Sequence, residues 1–313
     1  MATATWTEAD IPDLQGKTVV VTGANSGLGY EATRMFAERG ADVILACRSV
    51  DRGKDAVRSI REAVPDASLS VGALDLASLD SIKNFAETLI SEETPIDILC
   101  NNAGVMAIPR TETEDGFEMQ FGVNHLGHFA LTGLLLERLI ETPGESRVVT
   151  HSSGAHKQGT IDFDDLQQGS SYSRWGAYAQ SKLANLLFAY ELDRKLKAVD
   201  SSVVSTTCHP GYAATNLQRR GAEMDGSKLK LAMMNVANRV FGQSSAMGAL
   251  PMMYAAVEPT LTGGEYVGPS GLLNMRGYPE TQRSSDRSYS EETATQLWDV
   301  SESLTGVTYP LSS

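Results

Sequence analysis

The chain is short of the residues that staple, span or attract. Only three of its 313 residues are cysteine. Cys47, Cys100 and Cys208 each close an apolar, strand-like run, so they read as small buried hydrophobes. No Cys-x-x-Cys spacing occurs, which argues against a structural zinc. Basic charge is scarce too: 26 Lys and Arg against 39 Asp and Glu leave a formal charge of −13. A phosphate backbone needs a basic stripe, so this balance speaks against nucleic acid as a partner. No apolar run approaches the ~18 residues of a membrane span, and none is expected to cross one. The opening MATATWTEADIPDLQGK has neither the basic lead nor the apolar stretch of a signal peptide, so a cytoplasmic location is expected.

What is present is alternation. With 42% apolar residues the chain can bury a large core, as one large α/β domain or two ordinary ones. KTVVVTG, DVILACR, LSVGALDL, IDILCNNAG, SRVVTHSS and SSVVSTTCHPG are short runs of strand character. Segments of helical apolar spacing separate them. The strands lack polar alternation, which predicts a parallel sheet covered on both faces. Right-handed crossovers make that sheet doubly wound and Rossmann-like. A polar loop over 154–176 and an insert over 212–245 interrupt the rhythm. The insert carries Met224, Met233 and Met234, side chains that adapt to irregular apolar ligands, and it is expected to cover a substrate. The predicted organisation is an N-terminal extension over 1–15 and a single domain over 16–313.

The turn after the first strand, VVVTGANSGLG, sets Gly23, Gly27 and Gly29 before a helix. Glycine lets the backbone turn tightly and approach a pyrophosphate at a helix N-terminus. The spacing is GxxxGxG rather than GxGxxG, so the strict dinucleotide fingerprint fails. Its place at the first strand–helix turn still predicts cofactor contacts from these glycines and from Asn25, Ser26 and Leu28. At the second strand end, where an NAD site usually carries an acid, the chain has Arg48. A guanidinium there suits a 2′-phosphate, so NADP is expected, with NAD possible. Asp75 and Leu76 close the third strand, and Asn102, Ala103 and Gly104 follow the fourth. All of these ends converge on the carboxyl edge of one sheet, where ligands of such sheets bind. Tyr178 and Lys182 in YAQSKLAN stand four residues apart and share one helix face.

With TGxxxGxG, NNAG, NHLGH, paired serines, YxxxK and PG in that order, residues 16–217 resemble the short-chain dehydrogenase/reductase superfamily. SSGAH, FDDL, AYAQSKLAN and HPGYAATNL look like its retinol dehydrogenase, WW-domain oxidoreductase and protochlorophyllide reductase-like branch. The resemblance implies an oxidoreductase moving a hydride between a nicotinamide cofactor and an alcohol or carbonyl substrate. It makes Tyr178 the acid/base and Lys182 both its electrostatic helper and a ribose contact. Ser153, preferred over Ser152, would bind the substrate oxygen, and Asn124 would hold a water in a proton relay. Pro210, Gly211 and Thr215 would line the nicotinamide side. A phenol titrates near ~10, so a neighbouring ammonium is needed to ease its proton off.

His125 and His128 sit three apart without a suitable third ligand, so helix packing is the expected role rather than a metal. His151 stands where the branch commonly has another residue, and His156 is a candidate for ordering its loop. A catalytically silent dinucleotide sensor is the alternative reading, although such proteins usually lose the tyrosine or the lysine. Pairing of two copies through helices beside the active site, common among relatives, is possible here.

Overall fold

A computed structural model describes residues 5–212 and 243–311. Among these residues eight strands form one sheet: β1 (Thr18–Thr22), β2 (Asp42–Cys47), β3 (Leu69–Ala73), β4 (Ile98–Asn101), β5 (Ser146–His151), β6 (Val203–Cys208), β7 (Tyr266–Pro269) and β8 (Pro279–Gln282). Their spatial order is β3-β2-β1-β4-β5-β6-β7-β8. Pairings from β3 across to β7 are parallel, and β8 joins antiparallel at the edge. The first six strands are those the sequence predicts. The last two are additions: PETQ is polar and begins with proline, a composition that fits only an edge.

Period-two side-chain alternation builds both faces at once. Val19 and Val21 of β1 enter a core with Phe36 of α1 (Gly27–Glu38), Val57 of α2 (Val50–Ala63) and Leu250 and Met253 of α6 (Ser245–Val257). Val20 enters the opposite core with Phe85 of α3 (Leu79–Ser91), Phe129 and Leu135 of α4 (Gly127–Glu141) and Phe188 of α5 (Arg174–Ala198). Strands β1, β4 and β5 are buried at every residue, as a sheet covered on both faces requires. Strand order reverses between β1 and β4, which opens a crevice at their carboxyl ends.

The helix α5 is unusual in being buried on all sides. Every residue from Ala177 to Asp193 is buried. The reason is α7 (Glu291–Thr305), which lays Ala294 and Leu297 against Leu183 and Leu187, while Trp298 stacks on Phe188 at 5.9 Å. The helix α7 thus covers one face of α5. At the other end, Ile11 and Leu14 sink into the first core, and Trp6 meets Tyr254 edge-on at 5.3 Å. All three cysteines are free and buried. No helix among the described residues is long and apolar enough to cross a membrane.

Residues 213–242 lie outside the described residues, and with them most of the expected cover, Met224, Met233, Met234 and Thr215. Its two flanks meet: Gln243 N–H donates to the Tyr212 carbonyl at 3.1 Å, and Gln243 Nε2 donates to Pro210 O at 2.7 Å.

Candidate active site

The crevice beside β1 is a groove of about 560 Å³. Gly23, Asn25 through Gly29, Arg48, Asp75, Leu76 and Asn102 through Gly104 line it, which places together the residues expected on its walls. The backbone takes the left-handed region at Gly23 (φ 68°) and Gly27 (φ 58°), which L side chains rarely adopt. Gly29 is required for a different reason. A Cβ there would lie 2.5 Å from Gly23 O and 2.6 Å from Asn102 Nδ2. Ser26, the residue before α1, makes no side-chain cap, whereas Ser49 and Ser78 cap α2 and α3 through their hydroxyls. The first turn of α1 also carries no acid, so the positive end of that helix faces the groove without an anion of its own. These features fit a dinucleotide pyrophosphate.

Thr22 ties the groove's two walls. Its hydroxyl accepts from Asn102 N–H and Ala103 N–H, both at 2.9 Å, while Asn102 Nδ2 donates to Thr22 O at 2.8 Å. Asn101 turns the other way and donates to Thr132 at 2.9 Å. Arg48 is 62% exposed and its Nε stands 4.0 Å from an Asp75 carboxylate oxygen, so among the described residues only a loose surface pair holds it. Tyr30, Ser49, Arg52 and Val123 also line the groove and were not foreseen. Arg52 had a readable signal: it stands one turn beyond Arg48, at the start of a helix that the sequence already marks.

Beyond Gly104 the reacting set begins. A Cβ built on Gly104 would lie 3.0 Å from Asn124 Oδ1 and 3.7 Å from Lys182 Nζ, so both side chains border the end of the groove. Asn124 sits in a π-helical turn (Gly122–Leu126) leading into α4. Such turns widen the helix and re-aim a side chain. Its Oδ1 accepts from Val105 N–H at 2.8 Å, and its Nδ2 donates to Val105 O and to Ser181 Oγ, each at 2.9 Å. The structure thus shows Asn124 bracing the 105 loop.

Tyr178 and Lys182 share one face of α5, with Lys182 Nζ 5.8 Å from the centre of the phenol ring. The ammonium donates to His151 O at 3.2 Å. Burial pushes Lys182 down to about 8 and pushes the Tyr178 phenol above its ordinary value, while the neighbouring Ser153 side chain pulls the phenol back in part. Ser152 is separated from this set, its hydroxyl donating to Lys182 O at 2.7 Å. Pro210 and Gly211 follow β6; Gly211 (φ 65°) has Met275 O where a Cβ would stand, at 2.3 Å.

The remaining histidines are all internal. His125 contacts Ser301 at 2.9 Å, and His128 bridges Asn124 O (3.0 Å) and Thr22 Oγ1 (2.9 Å). His151 reaches Asn102 Oδ1 at 3.1 Å through its ring.

A sheet reversing at a glycine-rich turn, with a tyrosine and a lysine at the end of the resulting crevice, defines the class of α/β oxidoreductases that bind dinucleotides. The family model for short chain dehydrogenase matches residues 17–226. The human protein named retinol dehydrogenase 13 is 43% identical over 97% of this chain and 88% of its own length, and mouse retinol dehydrogenase 14 is 39% identical over 94% and 87%. A crystal structure from Mycobacterium paratuberculosis superposes with a TM-score of 0.81 at 41% identity, covering 98% of this chain and all of that one. The chain belongs to the short-chain dehydrogenase family, in the branch of the retinol dehydrogenases, and is an NAD(P)-dependent oxidoreductase.

Proposed function

We propose that the protein interconverts an apolar alcohol and its aldehyde or ketone, with NADP(H) preferred over NAD(H). The carrying observation is the junction at Gly104, where a groove suited to a dinucleotide meets Lys182 one helical turn from the buried Tyr178. Bound nicotinamide supplies or accepts the hydride. Tyr178 gives its phenolic proton to the carbonyl oxygen in reduction and takes it back in oxidation. Ser153 holds that oxygen through its hydroxyl and stabilises the charge that gathers there. Lys182 holds positive charge near the phenol and reaches the ribose side through Gly104. Asn124 braces the 105 loop against α5 and borders the same junction, where a relay water would sit. Pro210, Gly211 and Thr215 would close the nicotinamide side.

An apolar substrate is supported by the mouth of the site. Trp175 is 58% exposed and stands edge-on to Tyr178 at 6.0 Å, while Met275, next to Gly211, is 41% exposed. The relatives' names point the same way, toward retinol. NADP preference rests on Arg48, with Arg52 on the same wall. We further place the catalytic unit within one domain, with the insert as its cover.

The test is NADPH oxidation with retinal and a panel of aliphatic and aromatic aldehydes and ketones. Tyr178→Phe should lower turnover by about 10²–10⁴-fold with NADPH binding kept. Equal rates in the parent and the variant would remove Tyr178 from the chemistry.

A further inference from the structure

Two imidazoles outside the reacting set hold the turns that follow β5 and β6. His156, wholly buried, lies in the short turn Gly154–Gln158. Ser285 N–H donates to its Nε2 at 3.1 Å. A backbone N–H cannot accept, so Nε2 is the bare nitrogen and Nδ1 carries the proton. Nδ1–H then donates to Ser153 O at 2.7 Å. Burial keeps this imidazole below the usual histidine value, hence neutral. The ring meets Tyr266 of β7 edge-on at 5.4 Å. On the other side of Tyr266, His209 stacks at 5.0 Å, accepts from Gly211 N–H at 3.2 Å and contacts Gln282 at 3.2 Å. A second tie, from Arg287 to Gly159 O at 3.0 Å, holds the far end of the Ser153 turn.

The Ser153 hydroxyl has a choice to make. Locally it accepts a long 3.3 Å bond from Ala155 N–H, the ordinary cap of such a turn, while the role given to it above needs it turned toward the oxygen that Tyr178 serves. A small rotation of the Ser153 peptide keeps the cap and turns the hydroxyl away from Tyr178. We propose that His156 is a positioning residue for Ser153: as the Nδ1–H tautomer, fixed by Ser285, it clamps the Ser153 carbonyl so that the hydroxyl stays aimed at Tyr178. The assignment rests on the role given above to Ser153 and Tyr178.

The experiment compares His156→Ala, His156→Asn and His156→Gln, alone and with Ser153→Ala. An asparagine amide can stand where Nδ1 stood; a glutamine amide stands nearer Nε2. His156→Ala and His156→Gln should lower kcat by about 10–100-fold, since small misplacements of reacting groups cost that much, while NADPH affinity read by fluorescence titration is unchanged. His156→Asn should recover most of the rate. In the Ser153→Ala background the His156 substitutions should cost nothing further, because one group acts through the other. In cofactor-free protein, ¹H–¹⁵N spectra of the imidazole should show the proton on Nδ1. Asparagine and glutamine preserve size and polarity, so the comparison survives if the alanine variant does not fold. Parent-like kcat in His156→Gln, an equal loss in the Ser153→Ala background, or a proton on Nε2 would overturn the assignment alone. A parent without turnover on the whole panel would overturn the reading of the site beneath it.

Discussion

Lys182 Nζ donates to the backbone carbonyl of His151 at 3.2 Å, and the ring of that same histidine reaches Asn102 Oδ1 at 3.1 Å. One residue at the end of β5 therefore links the active-site ammonium to the wall of the cofactor groove. The carbonyl is shared, since Asn185 Nδ2 also donates to it at 2.9 Å. This anchoring fixes where the positive charge sits, and burial fixes when it is present, at pH values below about 8. The charge is fully present well below that value and is lost as pH rises through it. The kcat/KM for carbonyl reduction should hold between pH 6 and 7 and fall above about 8. Lys182→Arg, whose guanidinium stays charged, should be slower but without this limb. A parent profile flat to pH 10 would separate Lys182 from the reaction.

The five histidines make the fold acid-sensitive. Burial holds His125 and His151 down to about 3, His128 and His209 down to about 4, and His156 below its usual value. Each stays neutral in the folded chain and gains a proton on unfolding below pH 6.5. The unfolded state thus binds more protons, so stability rises with pH in this window and is lost as pH falls from 6.5 toward about 4. Each fully depressed histidine contributes a slope of about 1.4 kcal/mol per pH unit. Urea unfolding at pH 6.5, 6.0 and 5.5 should show uptake of several protons. Uptake of one or fewer would mean that the imidazoles are not neutral in the fold.

Much of this was legible because it is periodic or local. Six β-rich runs and their helices carry the parallel sheet, and glycine at fixed offsets marks the turn where its groove opens. The edge strand β8 was hidden because PETQ has no strand propensity and pairs only through its place beside β7. The π-helical turn was hidden as well: nothing in GVNHL separates a π turn from an α turn, and the contacts of Asn124 with Val105 arise only in the folded chain. Spacing put Tyr178 and Lys182 on one face but could not say what each would touch. The ammonium's partner is a carbonyl from β5, brought in by the packing of α5 on the sheet from 31 residues away.

Arg48→Asp tests the wall that is meant to read the 2′-phosphate. Among the described residues Arg48 is held only by a 4.0 Å approach to Asp75, so its removal should cost the fold little. A charged hydrogen bond is worth about 1.5–3 kcal/mol, so preference for NADPH over NADH should fall by about 10–150-fold in kcat/KM. Arg52→Ala, on the same wall, should give a smaller shift in the same direction. Unchanged discrimination in the double variant would move cofactor choice elsewhere.

Gly29→Ala is the strictest test of the groove's shape. The added Cβ would lie 2.5 Å from Gly23 O and 2.6 Å from Asn102 Nδ2, both closer than real carbons approach. Neither neighbour can yield cheaply. Gly23 is backbone in a left-handed conformation, with its N–H donating to Ala46 O at 2.8 Å. Asn102 Nδ2 is committed to Thr22 O, whose residue also receives Asn102 N–H and Ala103 N–H. The strain must therefore spread into both walls of the groove. A loss of about 1–3 kcal/mol of stability is expected from overpacking of this kind, with a larger loss of cofactor affinity because the walls part. Gly154→Ala is the control for stability, since a Cβ there meets nothing within 4 Å, and its change should stay within about 0.5 kcal/mol. If Gly29→Ala binds NADPH as the parent does and melts at the same temperature, the tight turn is not what shapes the site.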